Sequence, residues 1–271
     1  MPNWQSDYIE TNGLKLHYTR TGGNKPPFIL THGFSDDGLC WTPVAEVLAA
    51  DYDVIMLDAR GHGLSDGPEE GYGSLDYAAD VAGVIEGLGL HKPLVLGHSM
   101  GAATALALAG TYPDLPGAIL LEDPPPWWSA QAPVLTSAER RRRFGGRIVE
   151  LKRKTAQELI DAQRILSPKW SEAELGPWAM SKVRLSFNVI TTEQSTPVDW
   201  PNVVAKITCP ALLITADPEL GGIVTPEAAA DFQGILPQAQ VEHIGDAGHS
   251  IRREQFARYM EVVQAFLSDL K

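Results

Sequence analysis

Short apolar runs, each ending in a polar or glycine step, recur along the chain and alternate with patterns of helical period. LKLHY at 14–18 alternates apolar with polar residues, which predicts a half-buried strand. FILTHGF at 28–34, DVIMLD at 53–58, PLVLGHS at 93–99, GAILLEDP at 117–124 and PALLITAD at 210–217 are continuously apolar before their polar ends, and QVEHIG at 240–245 is a weaker version. Runs apolar on both faces suit strands covered by helices on either side, hence a mostly parallel sheet. Helical patterns fill the intervals: Trp41 to Ala50, Leu75 to Leu88, Met100 to Tyr112, Pro226 to Phe232 and Arg252 to Leu270. This alternation predicts an α/β fold with a doubly wound, mostly parallel sheet, which binds ligands beyond the carboxyl ends of its strands.

The alternation breaks once, after the GAILLEDP run, where residues 124–207 turn helical and tryptophan-containing with no clear strand. Eighty or so residues are too many for a bare loop in a compact domain. The expected organisation is therefore a core of residues 1–123 and 208–271 with a helical cap of residues 124–207 inserted into it. At 271 residues the chain is long enough to bury one sizeable core.

Charge and cysteine content narrow the partners. A formal net charge of −12 repels phosphate backbones and anionic membranes, so neither nucleic acid nor a membrane is an expected partner. One stretch has the opposite sign: eight of the 22 basic residues fall between Arg140 and Lys154. It reads as a solvated helix face or as an attractor for anionic substrates. Cys40 and Cys209 are too few for a disulfide framework and lack metal-ligand spacing, so no metal is expected. The polar start and the absence of a long apolar run predict a cytoplasmic protein; a homodimer is left open.

The candidate chemistry begins at Gly97-His98-Ser99-Met100-Gly101. A GxSxG string alone is weak, but here an apolar run precedes it and an alanine-rich helical pattern follows. That setting suits a sharp strand-to-helix turn holding a serine hydroxyl clear of the sheet. The helix start favours negative charge beside Ser99, and the Met100 N–H is one expected oxyanion donor. The second is the Phe34 N–H, on the loop opened by His32-Gly33. Among seven histidines, His249 is the expected general base, because Gly245-Asp246-Ala247-Gly248-His249 follows the last strand signal and precedes the last helix.

THGF, DARGHGLSD at 58–66, GHSMG and DAGH stand in an order that resembles the α/β-hydrolase superfamily over essentially the full chain. LEDPPPW and LGGIVTP look like features of its amidase and esterase-like members. The resemblance implies a Ser-acid-His triad but leaves the acid open. Members mostly place it after the strand corresponding to PALLITAD, beyond a glycine; here Ala216 replaces that glycine, Asp217 and Glu219 follow, and LGG lengthens the loop. A minority carry it after the preceding strand, 24 residues past the nucleophile, where this chain has Asp123. Asp123, Asp217 and Glu219 therefore all remain candidates.

The expected function is a serine hydrolase that cleaves a small ester, lactone or amide through an acyl-enzyme, with no cofactor and a small molecule as its partner. His32, Trp41, His98, Trp127 and Trp128 are expected to line the substrate site. Trp170 and Trp178 are further candidates for an apolar pocket under the cap. Two alternatives are a slow-turnover ligand receptor on the same fold and a C–C bond hydrolase or perhydrolase.

Overall fold

The computed structural model describes residues 4–132, 139, 141–191 and 197–270. Its frame is an eight-stranded sheet: β1 (Gln5–Thr11), β2 (Leu14–Arg20), β3 (Pro27–Thr31), β4 (Asp53–Leu57), β5 (Leu94–His98), β6 (Ala118–Glu122), β7 (Ala211–Ala216) and β8 (Gln240–Ile244). The spatial order is β1-β2-β4-β3-β5-β6-β7-β8, with β1 and β2 antiparallel to their neighbours and all later pairings parallel. The strand order reverses about β3, so the ends of β3 and β5 open the crevice where such sheets hold ligands.

The continuous apolar runs are explained by alternate residues feeding opposite faces. Ile29, Val95, Ile119 and Leu213 enter one core cluster; Phe28, Leu30, Leu96, Leu120, Leu212 and Ile214 enter the other. Helices in chain order are α1 (Thr42–Leu48), α2 (Ser74–Gly87), α3 (Met100–Thr111), α4 (Gly146–Leu151), α5 (Ala156–Leu166), α6 (Glu172–Arg184), α7 (Asn188–Thr191), α8 (Trp200–Ala205), α9 (Pro226–Ile235), α10 (Ile251–Glu254) and α11 (Phe256–Asp269). The first cluster packs under α2, α3 and α9, the second under α1 and α11. The helix expected over Arg252–Leu270 is two, divided at Gln255, whose φ of −135° is not helical.

β1 has no counterpart among the expected strands. Its residues are mostly exposed on both faces, which removes the alternation that reveals a strand. Its signal was Asn12-Gly13, both at positive φ, the two-residue turn that suits the twist of a hairpin.

Between β6 and β7 the described residues form helices and no strand. The expected boundaries of 124 and 207 do not separate two cores, however. Trp128 at one end and Trp200, Val204 and Ile207 at the other are buried in the cluster beneath α3. The part with packing of its own is α5 with α6, where Leu159, Trp178 and Ala179 form a small separate cluster. Arg140, which opens the basic stretch, lies outside the described residues. No helix among the described residues is long and apolar enough to cross a membrane.

Candidate active site

Ser99 occupies the single-residue step between β5 and α3, at φ 52° and ψ −112°. A non-glycine residue stays in that region only when its surroundings fix it. Close approach of backbone supplies the constraint: a Cβ at Gly97 would stand 2.3 Å from the carbonyl carbon of Gly101, and one at Gly101 would stand 2.1 Å from the Thr31 oxygen. The Ser99 amide donates to the Glu122 carbonyl at 2.9 Å, and its own carbonyl accepts from Ala103 at 3.0 Å. The side chain is half-buried at the carboxyl edge of the sheet.

His249 follows β8 and reaches that edge from the other direction. Its ring lies 4.7 Å from the ring of His98, the residue before Ser99, and its carbonyl is 2.9 Å from His98 Nε2. His249 Nδ1 is 2.7 Å from Asp123 Oδ2. Asp123 is wholly buried directly after β6, at φ 43°. Its carboxylate also accepts from Ile223 N at 2.9 Å and Val224 N at 3.0 Å. These donors come from the loop after β7 that LGG lengthens, so that loop supplies amides to the carboxylate rather than a carboxylate of its own.

Asp217 is turned elsewhere. It pairs with His243 Nε2 at 2.9 Å and accepts from Asp246 N at 2.7 Å. It is therefore corrected from a candidate partner of His249 to the clamp of the loop that carries this histidine. Glu219 is exposed in the short turn after it.

Phe34 sits in a four-residue turn closed by a hydrogen bond from Asp36 N to Gly33 O at 3.0 Å. Its half-buried ring meets those of His62 and Phe144. Met100 begins α3, so its amide is among those at a helix start with no partner in the preceding turn.

A family model described as the alpha/beta hydrolase fold matches residues 26–252. The chain belongs to the α/β-hydrolase fold family. Among curated relatives, the N-formylmaleamate deformylase of Pseudomonas putida is 31% identical over 252 residues, covering 90% of this chain and 89% of that protein. A 2-(acetamidomethylene)succinate hydrolase of Mesorhizobium japonicum is 38% identical over 104 residues, 38% of this chain and 37% of that one. Among solved structures, an esterase from Rhodococcus superposes with a TM-score of 0.79 at 23% identity, covering 99% of each chain. These relatives are hydrolases of small molecules, and this chain is a hydrolase of the same fold.

Within this family fold, several expected substrate contacts are packing residues. Trp41 is fully buried, with the Arg252 guanidinium 4.1 Å above its ring. Trp128 is buried against Phe232 and donates its indole N–H to Ala228 O at 2.8 Å. Trp127 is half-buried and leans on Trp200. Trp170 and Trp178 pack edge to face, and Trp170 lies under Arg253. His32 has both ring nitrogens engaged: Nδ1 with Gly33 O at 2.9 Å, and Nε2 accepting from Ala59 N at 3.0 Å. Burial lowers its pKa, consistent with a neutral ring that braces the loop. His98 is also buried and held well below the ordinary histidine value by burial first and Arg252 next. It contacts His249 rather than open space.

Two groups of polar residues escaped the sequence. In DARGHGLSD, buried Asp58 accepts from Gly38 N at 2.7 Å and Leu64 N at 2.8 Å and pairs with His17 Nδ1 at 2.8 Å, tying the loop after β4 to the turn before α1 and to β2. The other group centres on Asp36, buried beside Lys182, Arg252 and Arg253. Burial alone would raise its pKa, but these three cations overcome that and hold it well below the usual carboxylate range. The signal was the charged pair Asp36-Asp37, placed where a loop beside the sheet would otherwise be apolar or neutral.

Proposed function

We propose that the protein is a serine hydrolase acting on small amides and esters through an acyl-enzyme. Ser99 Oγ attacks the carbonyl carbon, and its proton passes to His249 Nε2. The Phe34 and Met100 amides receive the developing oxyanion. The leaving nitrogen or oxygen departs with the proton held by His249. Water, deprotonated by the same imidazole, then hydrolyses the acyl-enzyme. Asp123 holds the Nδ1 proton in place, so that Nε2 presents a lone pair to the serine, and balances the imidazolium as it forms.

The observation that carries this reading is the 2.7 Å contact of His249 Nδ1 with a wholly buried carboxylate, at the edge where Ser99 is held in a strained turn. A carboxylate fixed by two backbone amides makes a good orienting group, because it has no freedom to rotate away. The Pseudomonas putida deformylase, similar over 90% of the chain, supports beginning with small amides. The test is a panel of p-nitrophenyl esters, lactones and small amides, N-formylmaleamate among them, assayed on the wild type and on Ser99→Ala. Turnover should vanish in the variant with the far-ultraviolet spectrum unchanged. Turnover retained by Ser99→Ala would remove the serine from the mechanism.

A further inference from the structure

Ser35 is the third residue of the Gly33–Asp36 turn and has φ +69°. Turns that need this region at their third position normally use glycine or asparagine. Serine holds it only if neighbouring groups determine the backbone. The group in place to do so comes from α6, far away in sequence. Lys182 Nζ donates to Ser35 O at 2.8 Å and to Asp36 Oδ1 at 2.6 Å, with the Ser181 hydroxyl at 3.2 Å. The other oxygen of Asp36 accepts from Arg253 Nη2 at 3.0 Å, and Arg253 Nε donates to Glu174 on α6 at 3.0 Å. Asp36, Glu174, Lys182 and Arg253 are all buried. One ionic cluster thus joins the turn that carries the Phe34 amide, the inserted helix α6 and α10, which begins two residues after His249.

We propose that Lys182 is a positioning residue for the oxyanion hole: by holding the Ser35 carbonyl and the Asp36 carboxylate together, it fixes the peptide turn that aims the Phe34 amide. This rests on the reading that the Phe34 amide receives the oxyanion. An ammonium suits the task because three donors on one compact atom can meet a carbonyl, a carboxylate and a hydroxyl at once, whereas arginine spreads its donors over a larger planar fork.

The test compares Lys182→Met and Lys182→Arg with the wild type on one ester substrate. Lys182→Met should lower kcat by roughly 10- to 100-fold while KM moves less than about threefold, since the amide acts on the transition state and not on the bound ester. The inhibition constant of a trifluoromethyl ketone, whose adduct carries the oxyanion, should rise by the same factor as kcat/KM falls. Affinity for the matching unreactive alcohol should stay as it was. Lys182→Arg should recover part of the lost kcat. A folded Lys182→Met protein with wild-type kcat would overturn the proposal, as would a loss appearing wholly in KM. If Lys182→Met does not fold, Lys182→Arg decides: a reduced kcat at unchanged KM supports the role, and full kcat refutes it. Inactive Ser99→Ala beside a fully active Lys182→Met would end this inference and leave the serine mechanism standing; active Ser99→Ala would end that mechanism instead.

Discussion

At the scale of single residues, Asp123 and Asp217 show how the same side chain takes different work from its surroundings. Both follow a parallel strand at the same edge of the sheet, and the sequence leaves both open. What separates them is which donors each meets. Asp123, wholly buried, receives two backbone amides and the His249 ring, while Asp217 receives Asp246 N and the exposed ring of His243. Asp123→Asn should keep the fold, since an amide oxygen still accepts from the backbone. It offers an N–H where His249 Nδ1 needs an acceptor, so kcat should fall by about 10⁴-fold, the scale seen when a buried triad acid is replaced by its amide. Asp217→Asn should leave kcat nearly unchanged. Steady-state assays of the two variants on one substrate check both expectations, and a large loss confined to Asp217→Asn would reverse the assignment.

At the scale of elements, the strands buried on both faces were legible because each apolar run feeds two core clusters, so their continuity is a physical requirement. The elbow was legible for a related reason: Gly97 and Gly101 are demanded by backbone contact that no side chain could enter. β1 was not legible, because an exposed edge strand needs no hydrophobic pattern to pair with β2. Nor was the packing of the tryptophans, since an indole before a helix reads alike whether it faces a pocket or a core. The elbow carries its own prediction. In Gly101→Ala the new methyl would press on the Thr31 carbonyl, and overpacking of this kind costs about 1–3 kcal/mol or more. At roughly 2–4 °C per kcal/mol for a chain of this size, Tm should drop by about 2–12 °C. Calorimetry measures the drop, and an unchanged Tm would mean that strand and helix are not so closely held.

At the scale of the whole molecule, the helices between β6 and β7 are tied to the sheet and its loops by charge as well as by apolar packing. Lys182 and Arg184 near the end of α6 meet Asp36 and Asp37 in the core at 2.6 and 3.2 Å. Adjacent in sequence, the two aspartates are shifted in opposite directions. Asp36 is kept ionised by three cations, whereas Asp37 is pushed up to about 7 by burial first and the charge of Asp58 next, with Arg184 opposing. Between the ordinary aspartate value and about pH 7, the folded protein therefore holds a proton on Asp37 that the unfolded chain has released. The contribution of Asp37 to stability therefore falls as pH rises through that window, by at most about 1.4 kcal/mol per pH unit. Asp37→Asn has no such proton to lose. Its stability should match the wild type near pH 4 and exceed it at pH 8, because Arg184, partly exposed, can turn to water when its partner is neutral. Urea midpoints for both proteins at pH 4, 6 and 8 measure the difference. Parallel pH profiles would mean that Asp37 is ionised in the folded protein throughout, and that its bond to Arg184 outweighs both its burial and the neighbouring carboxylates.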